Sequence, residues 1–398
     1  MTDQTDGSDL HTPPDATPAC PRRAGPRLEA PLPGASAGED RSFPGFRIAL
    51  VLSGGNALGS YQAGAFQALH HRGIEPDWVA GASAGSLNGA IICGSAPEER
   101  IERLQALWSP DNGRVSPALP PAMEETRRTG AVALTMATGR PQIFIPRGVS
   151  VPWWSAFGHP EPASLYDTAP LLQTLERLVD FERLNRGAPR FTATAVDLET
   201  GEDVAFDTSQ RRVEADHLRA SCALLPMFPP VPLEGRLLGD AGISANLPLD
   251  PVLRESDGRP LLCIALDLLP LHAPPPRTLG ETAARVQDLL FATQSRRSIA
   301  AWQALYDERG RHGASPSITL LHLAYGDQER EVSGKAFDFS PRSAAARWDA
   351  GYSDMSCALD DLAAGQVIAG TPGMSVYSGG GRETRLQPVN WSLRPQTT

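Results

Sequence analysis

The sequence has 398 residues, 41% of them hydrophobic and 21% charged, with a formal net charge of -10. That composition supplies a sizeable core and excludes a globally disordered chain or a coiled coil. The acidic balance, with no long Lys/Arg run, excludes tracking of a nucleic-acid backbone.

The 37 Gly and 37 Pro predict many loops and at least one unstructured segment. Length alone fits either one large domain or two. The longest apolar runs, such as residues 261–269, contain a charge and are too short to span a bilayer. The polar, acidic N-terminus is not expected to be a secretory leader. Cys20, Cys93, Cys222, Cys263 and Cys357 are widely scattered, with neither metal-ligand spacing nor a disulfide framework, which fits a cytoplasmic location. No feature of the sequence specifies an oligomeric state.

In chain order, residues 1–45 hold eight Pro and five Gly without apolar periodicity and are expected to form a disordered tail. The run RIALVLSGG, 47–55, predicts a buried parallel strand closed by glycines. A helix is expected over 59–73, a second short strand over 77–81, and a small-residue helix over 84–94. Strand, helix, strand, helix in order implies an α/β fold. Residues 97–108 read as an amphipathic helix with Pro97 near its start. The stretch 110–166, rich in Pro and Gly yet carrying Phe144, Trp153, Trp154, Phe157 and Tyr166, reads as an insertion whose aromatic residues stand partly exposed beside the site.

Further on, a helix is expected at about 168–183, strands at 190–198, 202–208, 236–238, 261–269 and 317–323, a long and mostly polar helix over 279–309, and another over 341–364. The Gly-rich end, 366–398, is expected to be loosely structured. No internal repeat is visible.

The string GASAG, which fits G-x-S-x-G, occurs at 34–38 and at 81–85. The first copy has neither a strand before it nor a helix after it and is read as coincidence. The second joins an expected strand to an expected helix. That setting suits a nucleophilic serine, Ser83, which must stand on a tight turn with its hydroxyl exposed. Gly81 and Gly85 would remove side chains that clash across such a turn, and the helix N-terminus beneath Ser83 favours a developing negative charge. A plain turn between strand and helix, with glycines for packing, is the alternative.

SGGNALG, 53–59, also follows a strand and opens a helix. As a dinucleotide-binding loop it is weak, because Asn56 stands where the second critical glycine belongs and no acidic residue follows in a ribose-binding position. As an oxyanion hole, the backbone N–H groups of Gly54, Gly55 and Asn56 would point at a carbonyl oxygen bound over Ser83. Two packing glycines are the bland alternative.

A serine nucleophile needs a base. In the order Ser, Asp, His that an α/β-hydrolase would use, the pair Asp267 and His322 is a formal candidate, but such a fold is expected to place several strands before the nucleophile and here only one precedes 77–81. Asp240, in GDAG after a short apolar run, is the other candidate. Glycines on both sides let its carboxylate approach another backbone, although a turn aspartate explains the string equally well.

Together, ALVLSGG with its following helix, GASAG at the elbow, and RASCALLPMFPPV with GDAG and N-x-P resemble a patatin-like phospholipase domain over about 46–365. Residues 337–355 further resemble the C-terminal region of a bacterial subgroup. The resemblance implies a three-layer α/β fold with a mainly parallel central sheet flanked by helices. It implies a serine hydrolase of lipid carboxylic esters that uses a Ser83–Asp240 dyad without histidine, with the oxyanion turn at Gly54, Gly55 and Asn56. Such chemistry calls for no metal or cofactor, and the partner is a lipid or acyl-ester substrate, with peripheral contact to membranes or lipid droplets. Three positions depart from the family pattern: Asn56 replaces a glycine, Leu58 an Arg or Lys, and Ala241 a glycine. They leave open a weakened domain that binds lipid or protein without turnover.

Overall fold

The computed structural model describes residues 43, 45–108, 120–147, 164–255, 257–312, 315–326, 328, 330–381 and 383–392. The expected tail lies outside them apart from residues 43 and 45, and so do Trp153, Trp154 and Phe157.

Strand β1 (Arg47–Leu52) leads through a 3-10 turn, Asn56–Gly59, into helix α1 (Ser60–His71). Strand β2 (Trp78–Ala82) runs through Ser83 into α2 (Ala84–Cys93). There follow α3 (Arg100–Trp108), α4 (Pro121–Thr138), the short pair β3 (Ile145–Pro146) and β4 (Tyr166–Asp167), α5 (Ala169–Leu178) and α6 (Phe181–Leu184). The next group is β5 (Arg190–Asp197), β6 (Asp203–Asp207), α7 (Ala215–Ser221), β7 (Val231–Leu233), β8 (Arg236–Asp240), α8 (Gly242–Ala245) and α9 (Asp250–Arg254). The chain continues with β9 (Leu261–Asp267), α10 (Leu279–Arg311), β10 (Ser317–Ala324), α11 (Pro341–Ala363), β11 (Gly373–Gly380) and β12 (Glu383–Pro388).

Ten of these strands form one sheet in the order β12-β11-β10-β9-β1-β2-β5-β8-β7, with β6 paired to β5. The run from β11 to β5 is parallel, and the antiparallel strands lie at its ends. Central strands such as β1 and β9 are buried on both faces, as parallel strands covered by helices must be. Leu50, Leu52, Ile264 and Leu266 share one core cluster with Phe66 of α1, Ile91 of α2 and Met355 of α11. Ala49, Val51, Cys263 and Ala265 share another with Ile299, Trp302 and Tyr306 of α10. The three-layer α/β architecture is therefore present.

Two expectations are corrected. The Gly-rich end is not loose: β11 pairs in register with β10 from Ser317↔Gly373 to Leu323↔Gly379, and β12 closes that edge. Sheet pairing supplied by neighbours overrides the poor strand propensity of glycine. The stretch 110–166 contains an 18-residue helix, α4; of its aromatic residues Phe144 and Tyr166 are buried in a cluster with Phe228, and Trp153, Trp154 and Phe157 lie outside the described residues. Cys93, Cys222 and Cys263 are free and buried. Among the described residues no helix is long and apolar enough to cross a membrane.

Candidate active site

Because β1 and β2 are parallel neighbours in register, with Leu52 opposite Gly81, the turn after β1 and Ser83 after β2 emerge at the same sheet edge. Ser83 has φ 52 and ψ -125, a conformation that L residues other than glycine rarely adopt. Such strain costs on the order of 1–3 kcal/mol and persists only where the surroundings enforce it. Here the Ser83 N–H donates to Ser221 Oγ at 3.0 Å, and the Ser83 carbonyl accepts the Ser86 hydroxyl at 2.7 Å. The glycines permit the turn: a Cβ on Gly81 would lie 2.4 Å from the Gly85 carbonyl, and one on Gly85 only 2.2 Å from the Leu52 carbonyl oxygen.

Asp240 arrives from a reversal of sheet direction. Strand β5 pairs with β2 as far as Thr194↔Ala82 and with β6 along its other edge through Val196. The edge that β2 vacates is taken by β8, whose Asp240 lies opposite Ala195. Asp240 therefore meets the end of β2 head-on, beside Ser83. Asp240 is 2% exposed, and its carboxyl accepts the Gly242 N–H at 2.7 Å and lines the same cleft as Ser83. Burial dominates and raises its pKa from 3.8 to about 6, while the nearby Ser83 side chain and the Gly242 N–H oppose that rise.

The glycine turn differs from expectation in one respect. The Gly54 N–H donates to the Asn246 carbonyl at 3.1 Å, and the Gly54 carbonyl accepts from Asn246 Nδ2 at 3.2 Å. Gly54 is thus no free oxyanion donor. It serves close approach, since a Cβ there would meet Asn246 Oδ1 at 2.7 Å and Ser83 Cβ at 3.0 Å. Among the described residues the N–H groups of Gly55 and Asn56 have no acceptor. Asn56 sits at φ 51, a left-handed value that asparagine tolerates, so replacing glycine there leaves the turn intact. Leu58 is fully buried. A cation does reach this turn, from far along the chain: the Arg347 guanidinium donates to the Ala57 carbonyl at 3.2 Å. It is itself buried and paired with Glu331 at 2.8 Å, so it braces the turn and meets no substrate.

Gly54, Gly55, Asn56, Ser83 and Asp240 line a mostly apolar cleft walled by Leu87, Trp108, Ile143, Leu171, Leu224, Phe228, Phe337 and Phe339. No Lys, Arg or His lines it among the described residues. Asp267 and His322 do meet, with Nε2 3.6 Å from Oδ2, but on β9 and β10, two and three strands from β2. His217 is occupied locally, its Nδ1 accepting the Glu214 N–H at 3.0 Å. Sequence reasoning missed Ser221 and the two Asn246 bonds to Gly54. Only the quoted strings containing these residues hinted at them.

A family model described as patatin-like phospholipase matches residues 50–253, and one described as patatin phospholipase matches residues 281–366. An uncharacterised NTE family protein of Mycobacterium bovis is 26% identical over 279 residues, 70% of this chain and 64% of the relative. Patatin-like phospholipase domain-containing protein 6 of mouse is 26% identical over 227 residues, 56% of this chain but 14% of its own length. This chain thus spans less than two thirds of either relative. The solved structure of VipD from Legionella pneumophila, 16% identical, covers 77% of this chain and 67% of its own, with a TM-score of 0.33. The match over residues 50–253 runs from within β1 to within α9, includes both turns and Asp240, and spans half of the chain, and the chain belongs to the patatin-like phospholipase family.

Proposed function

We propose that this chain is a serine acyl hydrolase acting on carboxylic esters of lipids. The observation that carries the reading is a strained Ser83 that shares the wall of an apolar cleft with the buried carboxyl of Asp240. Ser83 Oγ attacks the acyl carbonyl carbon while Asp240 takes the hydroxyl proton. The Gly55 and Asn56 amides stabilise the oxyanion, and the apolar wall holds the acyl chain. The alcohol leaves with the proton from Asp240. Water then attacks the acyl-enzyme, Asp240 again accepting the proton; as the fatty acid departs, Asp240 returns that proton to Ser83 Oγ, which restores both groups.

A fluorophosphonate probe should label Ser83 in the folded wild type and fail on Ser83→Ala. A folded wild type that resists labelling beside an active control hydrolase would favour the turnover-free binding domain instead.

The pH dependence follows from the buried carboxyl. A base acts only when ionised, and the Asp240 pKa is pushed up to about 6. Expected kcat/KM for a short p-nitrophenyl ester is flat above that value and falls about tenfold per pH unit below it. An acid limb centred near an ordinary aspartate, two units lower, would remove the desolvated carboxyl from the mechanism.

A further inference from the structure

Helix α10 turns Asp288, Ala292, Ser295, Ile299, Trp302 and Tyr306 inward. A helix with one buried face normally presents polar residues on the other. The first half of α10 does not. Leu279, Ala283, Val286 and Leu290 recur at i, i+4, i+7 and i+11, which places them in one narrow stripe opposite the buried face. Leu279 is 87% exposed, Val286 52% and Leu290 60%. On the same turns, Gln287 and Phe291 line the cleft. Ile243 of α8 is also exposed and sits beside Gln294 of α10, whose Nε2 reaches the Ile243 carbonyl at 3.5 Å. The stripe therefore continues into the mouth of the site.

The charged side chains beside it that have no ion-pair or hydrogen-bond partner among the described residues are basic. Arg277 precedes the stripe, and Arg297 follows Leu290 by seven residues on the same face, with Arg296 beside it. Among the described residues no carboxylate pairs with the side chains of these three arginines. The two acidic residues of this half are occupied: Glu281 closes the capping box with Thr278, and Asp288 points inward to Lys335 Nζ at 2.5 Å. Arg285 ties the helix to the Pro270 carbonyl at 3.0 Å, so the orientation of the exposed face is held.

We propose that the stripe of Leu279, Ala283, Val286 and Leu290, bracketed by Arg277 and Arg297, docks this protein on an anionic lipid surface and delivers acyl esters to the cleft. An apolar face with basic ends is the pattern of a helix that lies in the lipid–water boundary. The chain's net charge of -10 would otherwise keep it away from such a surface. The inference rests on the reading of the cleft as a lipid acyl hydrolase site.

The test uses the full chain carrying Ser83→Ala, co-sedimented with vesicles of phosphatidylcholine alone or mixed equally with phosphatidylglycerol. Replacing Leu279, Val286 and Leu290 together by serine should lower partitioning at least about tenfold, because the removed side chains carry the buried apolar area. Arg277→Gln with Arg297→Gln should remove only the phosphatidylglycerol-dependent part. With Ser83 intact, the triple-serine variant should hydrolyse a soluble ester within about twofold of wild type, since exposed substitutions rarely disturb a fold. Unchanged vesicle binding overturns the proposal. So does a wild-type dimer in solution that the triple variant dissociates, which would make the stripe a protein interface. Loss of vesicle binding by the triple variant, in a wild type that hydrolyses no ester, would sink the hydrolase reading and leave the docking surface standing.

Discussion

Asp240→Asn is expected to remove nearly all turnover while making the protein more stable. A lost general base costs about 10²–10⁴-fold, and no other carboxylate and no histidine lines the cleft among the described residues. Asparagine keeps the shape of the carboxyl and still accepts the Gly242 N–H. The stability gain follows from linkage. The folded pKa, about 6, lies above the ordinary 3.8, so the fold disfavours the charged form. The cost is absent below the ordinary pKa, grows as pH rises between the two values, and is fully present at neutral pH. There it amounts to at most about 3 kcal/mol, from about 1.4 kcal/mol per unit. Asp240→Asn should therefore melt higher than wild type at pH 7, with the gap closing as the pH falls through 6. Steady-state ester hydrolysis and thermal denaturation of the same samples check both halves. An active variant, or one that melts lower at pH 7, would count against the buried base. Single replacements of His217, His272, His312 and His322 by Gln should leave turnover within about tenfold, and one as inactive as Ser83→Ala would point to a histidine base instead.

Gly85→Ala should abolish both labelling and native stability. The added Cβ would sit 2.2 Å from the Leu52 carbonyl oxygen and 2.6 Å from its carbon. Neither atom can swing away, because both belong to a central strand paired on both sides. Relief requires α2 to lift from β1, which undoes the packing of Leu87, Ile91 and Ile92 and misplaces Ser83. Overpacking in a rigid core typically costs about 1–3 kcal/mol, and a contact with backbone lies at or above the upper end. The expected result is a lower denaturation midpoint or insoluble protein, and no fluorophosphonate labelling of any soluble fraction. Wild-type stability and labelling in Gly85→Ala would show that the elbow is looser than its geometry.

The wider fold was readable wherever the hydrophobic pattern had one explanation. The helix over 341–364 and the strand over 317–323 came within a residue or so at either end, because a buried face imposes its period on the sequence. Strands β11 and β12 escaped because glycine-rich segments carry little pattern and gain their structure from a neighbour. Helix α4 was hidden among prolines and glycines.

The elbow lay in the sequence itself: Gly81, Ser83 and Gly85 are neighbours along the chain, and a strand–turn–helix within so few residues leaves the backbone little choice. The partner of that serine did not. A turn aspartate and a base look the same beside glycine, and Asp240 became the neighbour of Ser83 only because β8 runs antiparallel along the edge of β5 where β2 ends. The same segment turned Gly54 from a donor into a packing residue, since Asn246, on the far side of α8 from Asp240, takes its N–H. Local strings set local backbone conformation through sterics, whereas charge state, donor availability and the exposure of an apolar stripe depend on what packs alongside, which only the assembled sheet and its helices decide.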